Sequence, residues 1–439
     1  MGSETKKLSV EVQVDWLYGD FLEGRRLPVQ EVLSVVEKAG KELALFKADQ
    51  LVDAFEVFSE SLLTRSNPLL GKYAGSGIPF LGRWCGKENL TNILGDALGS
   101  IECLDRFVSM SFNVDRSARA FPKGLIIHWM AGNVPTLGLL SLVSGILTKN
   151  ANIVRIPSLS DNLLADLMNH LSGLGGVPGV MARSVAIIRY DYRDSEAAEE
   201  VSRSADVRII WGGDESSASI KRLPTKLTCM DMVFPDRTSF VVLGRSALSR
   251  ERMDAVARLI AHDASVFEQK ACASPHTVLL STDDEKTIQF FCRSLKSAMH
   301  RILKLIPKTT PLQKEVQAIL NLRAQYDMFH EAWYSKGTEF SIFWDDKIQI
   351  GPPIGNRTIF VRSLPSVDEL ATILPSNVQS VGIAADGDEY ERLTNLLGAA
   401  GVHRFTPLGA MTHFDIPWDG VVMPQLLVRW TTRQIVKNG

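Results

Sequence analysis

The strongest constraint on how this chain can fold is a succession of short apolar runs rich in β-branched residues, each separated from the next by a stretch with helical periodicity. "GLIIHWM" (124–130), "NANIVRIPS" (150–158), "ARSVAIIRYDY" (182–192) and "ADVRIIWGGDES" (205–216) alternate with helical stretches at 136–149 and 160–174 and with the acidic "SEAAEEVSRS" (195–204). Strands that alternate with helices predict a parallel sheet covered on both faces, with ligands at the carboxyl ends of its strands. A second alternation follows. "TSFVVLG" (238–244), the charged helix "RERMDAVARLIAHDASVF" (250–267) and "HTVLLS" (276–281) lead through helical pattern at 284–335 to "EFSIFWD" (339–345) and "RTIFVRSL" (357–364), and a further alternation occupies 366–405. The expected architecture is α/β, with two domains built on parallel sheets. A length of 439 residues agrees, being too great for one small core.

Upstream, apolar positions at helical spacing (Val32, Leu33, Val36, then Leu43, Leu45, Phe46) predict surface-packed helices over 29–65. "RFVSMSFNVDRSARAFPKG" (106–124) alternates apolar and polar residues, as an edge hairpin or an oligomerisation arm would. The C-terminal "QLLVRWTTRQIV" (425–436) reads as one more strand in need of a partner edge, in the same chain or another. The expected divisions are an N-terminal helical part (1–105), a candidate arm (106–123), a nucleotide-binding α/β domain (124–242), a catalytic α/β domain (243–415) and a C-terminal return with an arm strand (416–439).

Several classes of function are disfavoured. A net charge of −2 without a Lys/Arg run argues against nucleic acid as a partner. The apolar stretch 124–148 carries His128, Asn133 and Pro135, which a single helix in lipid would have to bury, so no transmembrane segment is expected. The first ten residues are polar and charged and do not resemble a signal peptide. The five cysteines, Cys85, Cys103, Cys229, Cys272 and Cys292, form no C-x-x-C pair; neither a disulfide framework nor a metal site is suggested, and a reducing, cytoplasmic setting is expected.

The residues suited to chemistry cluster at loops. Cys272 in "FEQKACASPH" (267–276) stands on a turn between a helix and a strand, where a thiol is reachable and the following N–H groups can face an oxyanion; a semi-buried cysteine in a connection is the plainer reading. Asn133 in "AGNVPT" is a good turn former, and also offers an amide donor at the carboxyl end of a strand. Arg155 follows the next strand and could pair with a phosphate or simply be solvated. Gly212 and Gly213, followed by Asp214, allow close backbone approach to a phosphate or ring, or form an ordinary turn; no G-x-G-x-x-G fingerprint is present.

Taken in order, "GNVP", "WGGD", "EQKACASP" and the closing "WDGVVMPQLLVRW" (418–430) resemble the aldehyde dehydrogenase superfamily and, within it, the LuxC-like long-chain acyl-CoA (acyl-protein thioester) reductases, over roughly residues 100 to 435. The resemblance implies a Rossmann-like nucleotide-binding domain, a catalytic domain and a small β arm for oligomerisation, with a homodimer or homotetramer. It implies that Cys272 is the nucleophile and that Asn133 joins the Cys272 N–H at the oxyanion. Ala131, Gly132, Arg155, Ser158, Gly212, Gly213 and Asp214 would hold the cofactor. No acid lies close to Arg155 to repel a 2′-phosphate, so NADPH is the expected cofactor.

Two departures from the family pattern carry meaning. No glutamate occupies the "VFPDRTS" region (233–239), where aldehyde-oxidising members keep their base, and an acyl-thioester reductase needs no such base to activate water. "IQIGPP" (348–353) does not match the usual ribose contact. The implied substrate is an acyl-CoA or acyl-carrier protein thioester, with an acyl-activating synthetase as a further partner. The rivals are a cofactor-free acyltransferase or thioesterase using His276 or His262 as base, although His276 reads as a solvated residue at a strand end, and a catalytically silent scaffold of the same fold.

Overall fold

A computed structural model describes residues 9–110, 113–132, 135–347, 349–364 and 366–434. The chain divides into two compact units, residues 1–235 together with 421–439, and residues 236–420. The division falls at Pro235/Asp236, ahead of the 238–243 strand that the sequence had placed in the first domain.

In the first unit, β1 (Glu11–Leu17) and β2 (Asp20–Pro28) form a hairpin, β3 (Val108–Met110) and β4 (Asn113–Pro122) pair antiparallel, and β5 (Leu125–Trp129), β6 (Ala151–Arg155), β7 (Val185–Arg189), β8 (Val207–Trp211) and β9 (Met230–Phe234) are parallel. The seven-stranded sheet runs β2-β1-β7-β6-β5-β8-β9, with β1 antiparallel to β7. The hairpin is a correction to the helical N-terminal part expected at 1–105. Its Val12 and Val14 enter the same apolar layer as Ile127 and Ile153, and the alternation of Val10, Val12, Val14 and Trp16 with Glu11, Gln13 and Asp15 is a strand pattern that the helical reading passed over.

Strands β5, β7 and β8 are buried along their whole length, which is why they read as unbroken apolar runs. Alternate residues of β5 serve opposite faces. Leu125, Ile127 and Trp129 meet Val29, Val32, Leu33 and Val36 of the helix Val29–Leu43, whereas His128 on the other face meets Ser141 of the helix Pro135–Leu147. The 124–148 run thus ends as a strand and a separate helix, and no helix among the described residues is long and apolar enough to cross a membrane.

In the second unit, β10 (Thr238–Leu243), β11 (Pro275–Leu280), β12 (Glu331–Tyr334), β13 (Ser341–Trp344), β14 (Thr358–Ser363), β15 (Val378–Ala384) and β16 (Arg404–Thr406) form a sheet in the order β12-β13-β14-β11-β10-β15-β16. Only β12 runs antiparallel to its neighbour. The helices Arg250–Ser265 and Glu285–Ile302 cover one face through Met253, Ile260, Phe291 and Leu295. Strand β17 (Val428–Gln434) returns to the first unit and pairs antiparallel with β4 across Val428–Gln434 and Arg116–Pro122, so the partner edge of the C-terminal strand lies in the same chain.

Candidate active site

The cysteine turn is built from both ends. The helix Arg250–Ser265 starts at Ser249, whose side chain accepts from Arg252 N–H, and it is followed by Phe267, Glu268 and Gln269, all with positive φ (53°, 54° and 62°). Three successive non-glycine residues in the left-handed region cost on the order of 1–3 kcal/mol each, so the turn must be held by its surroundings. Glu268 and Gln269 hold it. Gln269 Nε2 donates to the carbonyls of Pro275 (2.6 Å) and Thr358 (2.9 Å), and its Oε1 accepts from Thr358 N–H at 2.7 Å.

Glu268 receives Arg357 Nη2 at 2.7 Å and Lys308 Nζ at 2.7 Å. Burial alone would raise its pKa, but the hydrogen bonds from Arg357 and Lys308 hold it below the ordinary carboxylate value. Burial first, and then repulsion by Arg357, push Lys308 below the ordinary lysine value, against the raising effect of Glu268. Arg357 is therefore the partner that secures Glu268. The Glu-Gln of "EQKACASP" thus anchors the loop that presents the cysteine.

Cys272 is half-buried, its carbonyl accepting from Ser239 Oγ at 2.8 Å. Ser239 Oγ also accepts from Ser380 N–H, which seats the head of β15 beside the cysteine, and the Gln379 side chain and the N–H groups of Ala273 and Cys272 act as donors toward the sulfur. Burial and then the nearby Asp419 carboxylate raise the thiol, these donors lower it, and the result is a thiol pushed up to about 12. It is protonated at neutral pH. Iodoacetamide should therefore modify Cys272 slowly at neutral pH and about tenfold faster for each added pH unit through the alkaline range, as mass spectrometry of the modified peptide would show.

Gln379 Nε2 also donates to Asp419 Oδ1, and Asp419 Oδ2 lies 3.4 Å from Arg237 Nε in an ion pair too misaligned to be a hydrogen bond. Arg404 completes the charged surroundings; burial lowers its pKa, while Asp415 and Cys272 are among the groups that raise it. These residues lie at the amino ends of parallel strands: Arg237 just before β10, Gln379 early in β15, Arg404 at the start of β16 and Cys272 before β11. Sequence reading missed Gln379 and Arg404. A polar residue at the head of each apolar strand is the only mark they leave. Asp419 lay inside "WDGVVMPQ" without a role.

His276 is a correction. It is buried rather than solvated, because it is the second residue of β11, an interior strand between β14 and β10, and burial lowers its pKa to about 4, leaving it neutral. His262 is partly exposed, with Nδ1 3.5 Å from Asp263.

In the first unit, Ala131 and Gly132 follow β5, Arg155 ends β6, and Gly212, Gly213 and Asp214 follow β8. Asn133 lies outside the described residues. Strand order reverses between β5 and β8, so Ala131, Gly132, Gly212 and Gly213 stand at a topological switch point, where open α/β sheets bind ligands. A Cβ on Gly212 would lie 2.6 Å from Ser216 Oγ, and Gly213 caps the helix Asp214–Lys221. Arg155 lies over the Tyr190 ring at 4.9 Å and donates to the Tyr190 carbonyl at 3.2 Å, while its buried Nε has no partner. Ser158 is exposed and also donates to the Tyr190 carbonyl. Arg189, unremarked in the sequence, orders this loop by donating to the carbonyls of Pro157, Ser158 and Ser160 while paired with Asp15 at 2.5 Å.

A sequence-family model described as acyl-CoA reductase (LuxC) matches residues 25–430. The chain belongs to the LuxC family. LuxC-type relatives include the long-chain acyl-protein thioester reductases of Aliivibrio fischeri, 26% identical over 360 residues (80% of this chain, 71% of that protein), and of Vibrio harveyi, 24% identical over 357 residues (80% and 72%). This LuxC-family chain is an enzyme of the acyl-CoA reductase type.

Its fold is that of the aldehyde dehydrogenases. A NAD-dependent benzaldehyde dehydrogenase from Corynebacterium glutamicum superposes with a TM-score of 0.66 at 13% identity, covering 98% of this chain and 96% of that one. An indole-3-acetaldehyde dehydrogenase complexed with NAD+ gives 0.71 at 12% identity, covering 98% and 97%. Both superpositions span both units of this chain.

Proposed function

We propose that this protein reduces a long-chain fatty acyl thioester, carried on CoA or on a protein, to the aldehyde with NADPH, through an acyl group held on Cys272. The observation that carries the reading is the cysteine turn: a half-buried thiol on an anchored loop, with backbone N–H groups of Cys272 and Ala273 facing the sulfur. Cys272 sulfur attacks the thioester carbonyl, a carbon–sulfur bond forms, and the carrier thiol leaves with the proton that Cys272 gave up. The family pattern assigns Asn133 and the Cys272 N–H to the oxyanion, and removing one such donor costs on the order of a hundredfold or more in rate.

Residues of the first unit fit a dinucleotide. Arg155 ends β6 only partly buried, so that its guanidinium can meet a phosphate, Ser158 is exposed nearby, and Gly212 and Gly213 open the start of a helix whose N–H groups favour anions. Ala131, Gly132 and Asp214 complete the set of residues that would hold it. Bound NADPH supplies the hydride that the acyl carbon on Cys272 accepts. The Cys272 thiohemiacetal then breaks its carbon–sulfur bond, the sulfur recovers a proton, and the aldehyde departs.

The same reading places the protein in the cytoplasm, supplied by an acyl-activating synthetase. A homodimer or homotetramer would use the β3, β4 and β17 sheet, whose β17 is largely exposed.

The direct test is loss of NADPH absorbance with saturated acyl-CoAs of increasing length and chemical trapping of the aldehyde. Turnover that rises with chain length supports the reading. Acylated Cys272 without oxidation of NADPH or NADH would instead establish an acyltransferase. Arg155→Ala should raise KM for NADPH by about tenfold or more, the loss of one charge-assisted phosphate contact, while changing KM for NADH little. An equal effect on both cofactors would remove Arg155 from the 2′-phosphate.

A further inference from the structure

Gln379 is almost wholly buried, at 1% exposure, at the head of β15. A carboxylate can only accept, so the amide nitrogen must face Asp419, and the hydrogen bond between them fixes the orientation of the amide. Ser239 Oγ donates to the Cys272 carbonyl and accepts from the N–H of Ser380, so the head of β15 is held against the cysteine, where the Gln379 side chain acts as a donor toward the sulfur while its Oε1 is buried without any partner. A buried amide oxygen with no donor weakens the fold, and a leucine in this place would carry no such cost. The arrangement is explained by what it does at the sulfur.

We infer that Gln379 is a catalytic residue that donates to the Cys272 sulfur and stabilises the thiolate, and that Asp419 is a positioning residue that fixes the Gln379 amide. The inference rests on Cys272 being the acylated nucleophile. It supplies what the missing glutamate of the oxidising enzymes and the neutral, buried His276 do not, a fixed polar group beside the sulfur. The charged groups around that sulfur are Asp419, with Arg237 behind it, and Arg404. Asp419 acts in two opposed ways: its charge disfavours the thiolate, while its hydrogen bond aims the donor that favours it. The same donor serves departure, since it steadies sulfur as the carbon–sulfur bond of the thiohemiacetal breaks and the electron pair returns to Cys272.

The test compares rates of Cys272 alkylation by iodoacetamide against pH for the full-length wild-type, Gln379→Met and Asp419→Asn proteins, beside acylation of each by a long-chain acyl-CoA. Gln379→Met removes the donor and should move the alkylation profile up by about one pH unit, with acylation about tenfold slower at neutral pH. Asp419→Asn keeps an acceptor for Gln379 but removes the charge, and should move the profile down. Shifts of opposite sign are not expected of two merely structural residues. A Gln379→Met profile that coincides with the wild type overturns the assignment; should that variant fail to fold, an unmoved Asp419→Asn profile overturns it equally. A wild-type Cys272 that is alkylated but never acylated defeats the reductase reading instead, and the alkylation profiles still decide the role of Gln379.

Discussion

Cys272→Ala should abolish aldehyde formation, with a fall of about four orders of magnitude or more, the scale seen when a covalent nucleophile is removed. The loss should lie in kcat, since the residues expected to hold the cofactor stand in the other unit and are untouched, and binding of NADPH should survive. The melting temperature should fall by only a few degrees, because the turn is anchored through the Cys272 carbonyl and through Glu268 and Gln269, and the alanine removes only the weak sulfur acceptor of Gln379. With acyl-CoA and no NADPH, the wild-type protein should release one CoA per active site and hold the acyl group at Cys272 alone. Cys85, Cys103 and Cys292 are buried, out of reach of an acyl donor. Cys229 is half-buried, but it precedes β9 in the first unit and lacks the anchored turn that presents Cys272. Aldehyde made by the alanine variant would sink the covalent mechanism, whatever the wild type reduces.

The sequence made the strands legible and the polar contacts illegible, for a physical reason. Strands such as "LIIHW" and "VRIIW" are buried on both faces, so burial writes itself into consecutive residues. The turn at Cys272 was visible too, because helix, small residues, Ser-Pro and strand follow one another in a single segment. The N-terminal hairpin was legible as well, in the alternation of Val10, Val12, Val14 and Trp16 with polar residues before the Tyr18-Gly19 turn; what the sequence does not show is that β1 docks on β7, far along the chain. Nor does it show the cluster around the thiol. Gln379 and Asp419 reach Cys272 from segments more than one hundred residues away, and only the parallel pairing of β10 with β11 and β15 brings those strand heads together. Glu268 and Gln269 stand in the "EQKACASP" motif, but their work, holding three left-handed residues in a turn, depends on Arg357 and Thr358. Asn133 lies outside the described residues, so its place rests on the family pattern.

Arg357→Met should be the most destabilising single change near the site, and its effect should depend on pH. The arginine side chain is fully buried; Nη2 and Nε donate to the two oxygens of Glu268 at 2.7 and 3.1 Å, and Nη1 donates to the Ile306 carbonyl at 3.0 Å. Removing it leaves Glu268 buried with Lys308 as its remaining cationic partner, and breaking a buried pair in this way costs roughly 3–5 kcal/mol. In a domain of this size that corresponds to a melting temperature lower by about ten degrees. The folded-state pKa of Glu268 lies below its ordinary value of 4.5, so the stability it contributes is fully present above that value and is lost as pH falls through the folded pKa. The wild type and Arg357→Met should accordingly differ most at neutral pH and converge in acid, measured by thermal melting at several pH values. A constant gap would mean that packing of the arginine, not its charge, supports the turn. Because the same carboxylate holds the left-handed residues before Cys272, the variant should also acylate more slowly at temperatures where it is still folded. Arg357→Lys, which keeps the charge but not the two-pronged contact, should recover part of the stability and less of the rate.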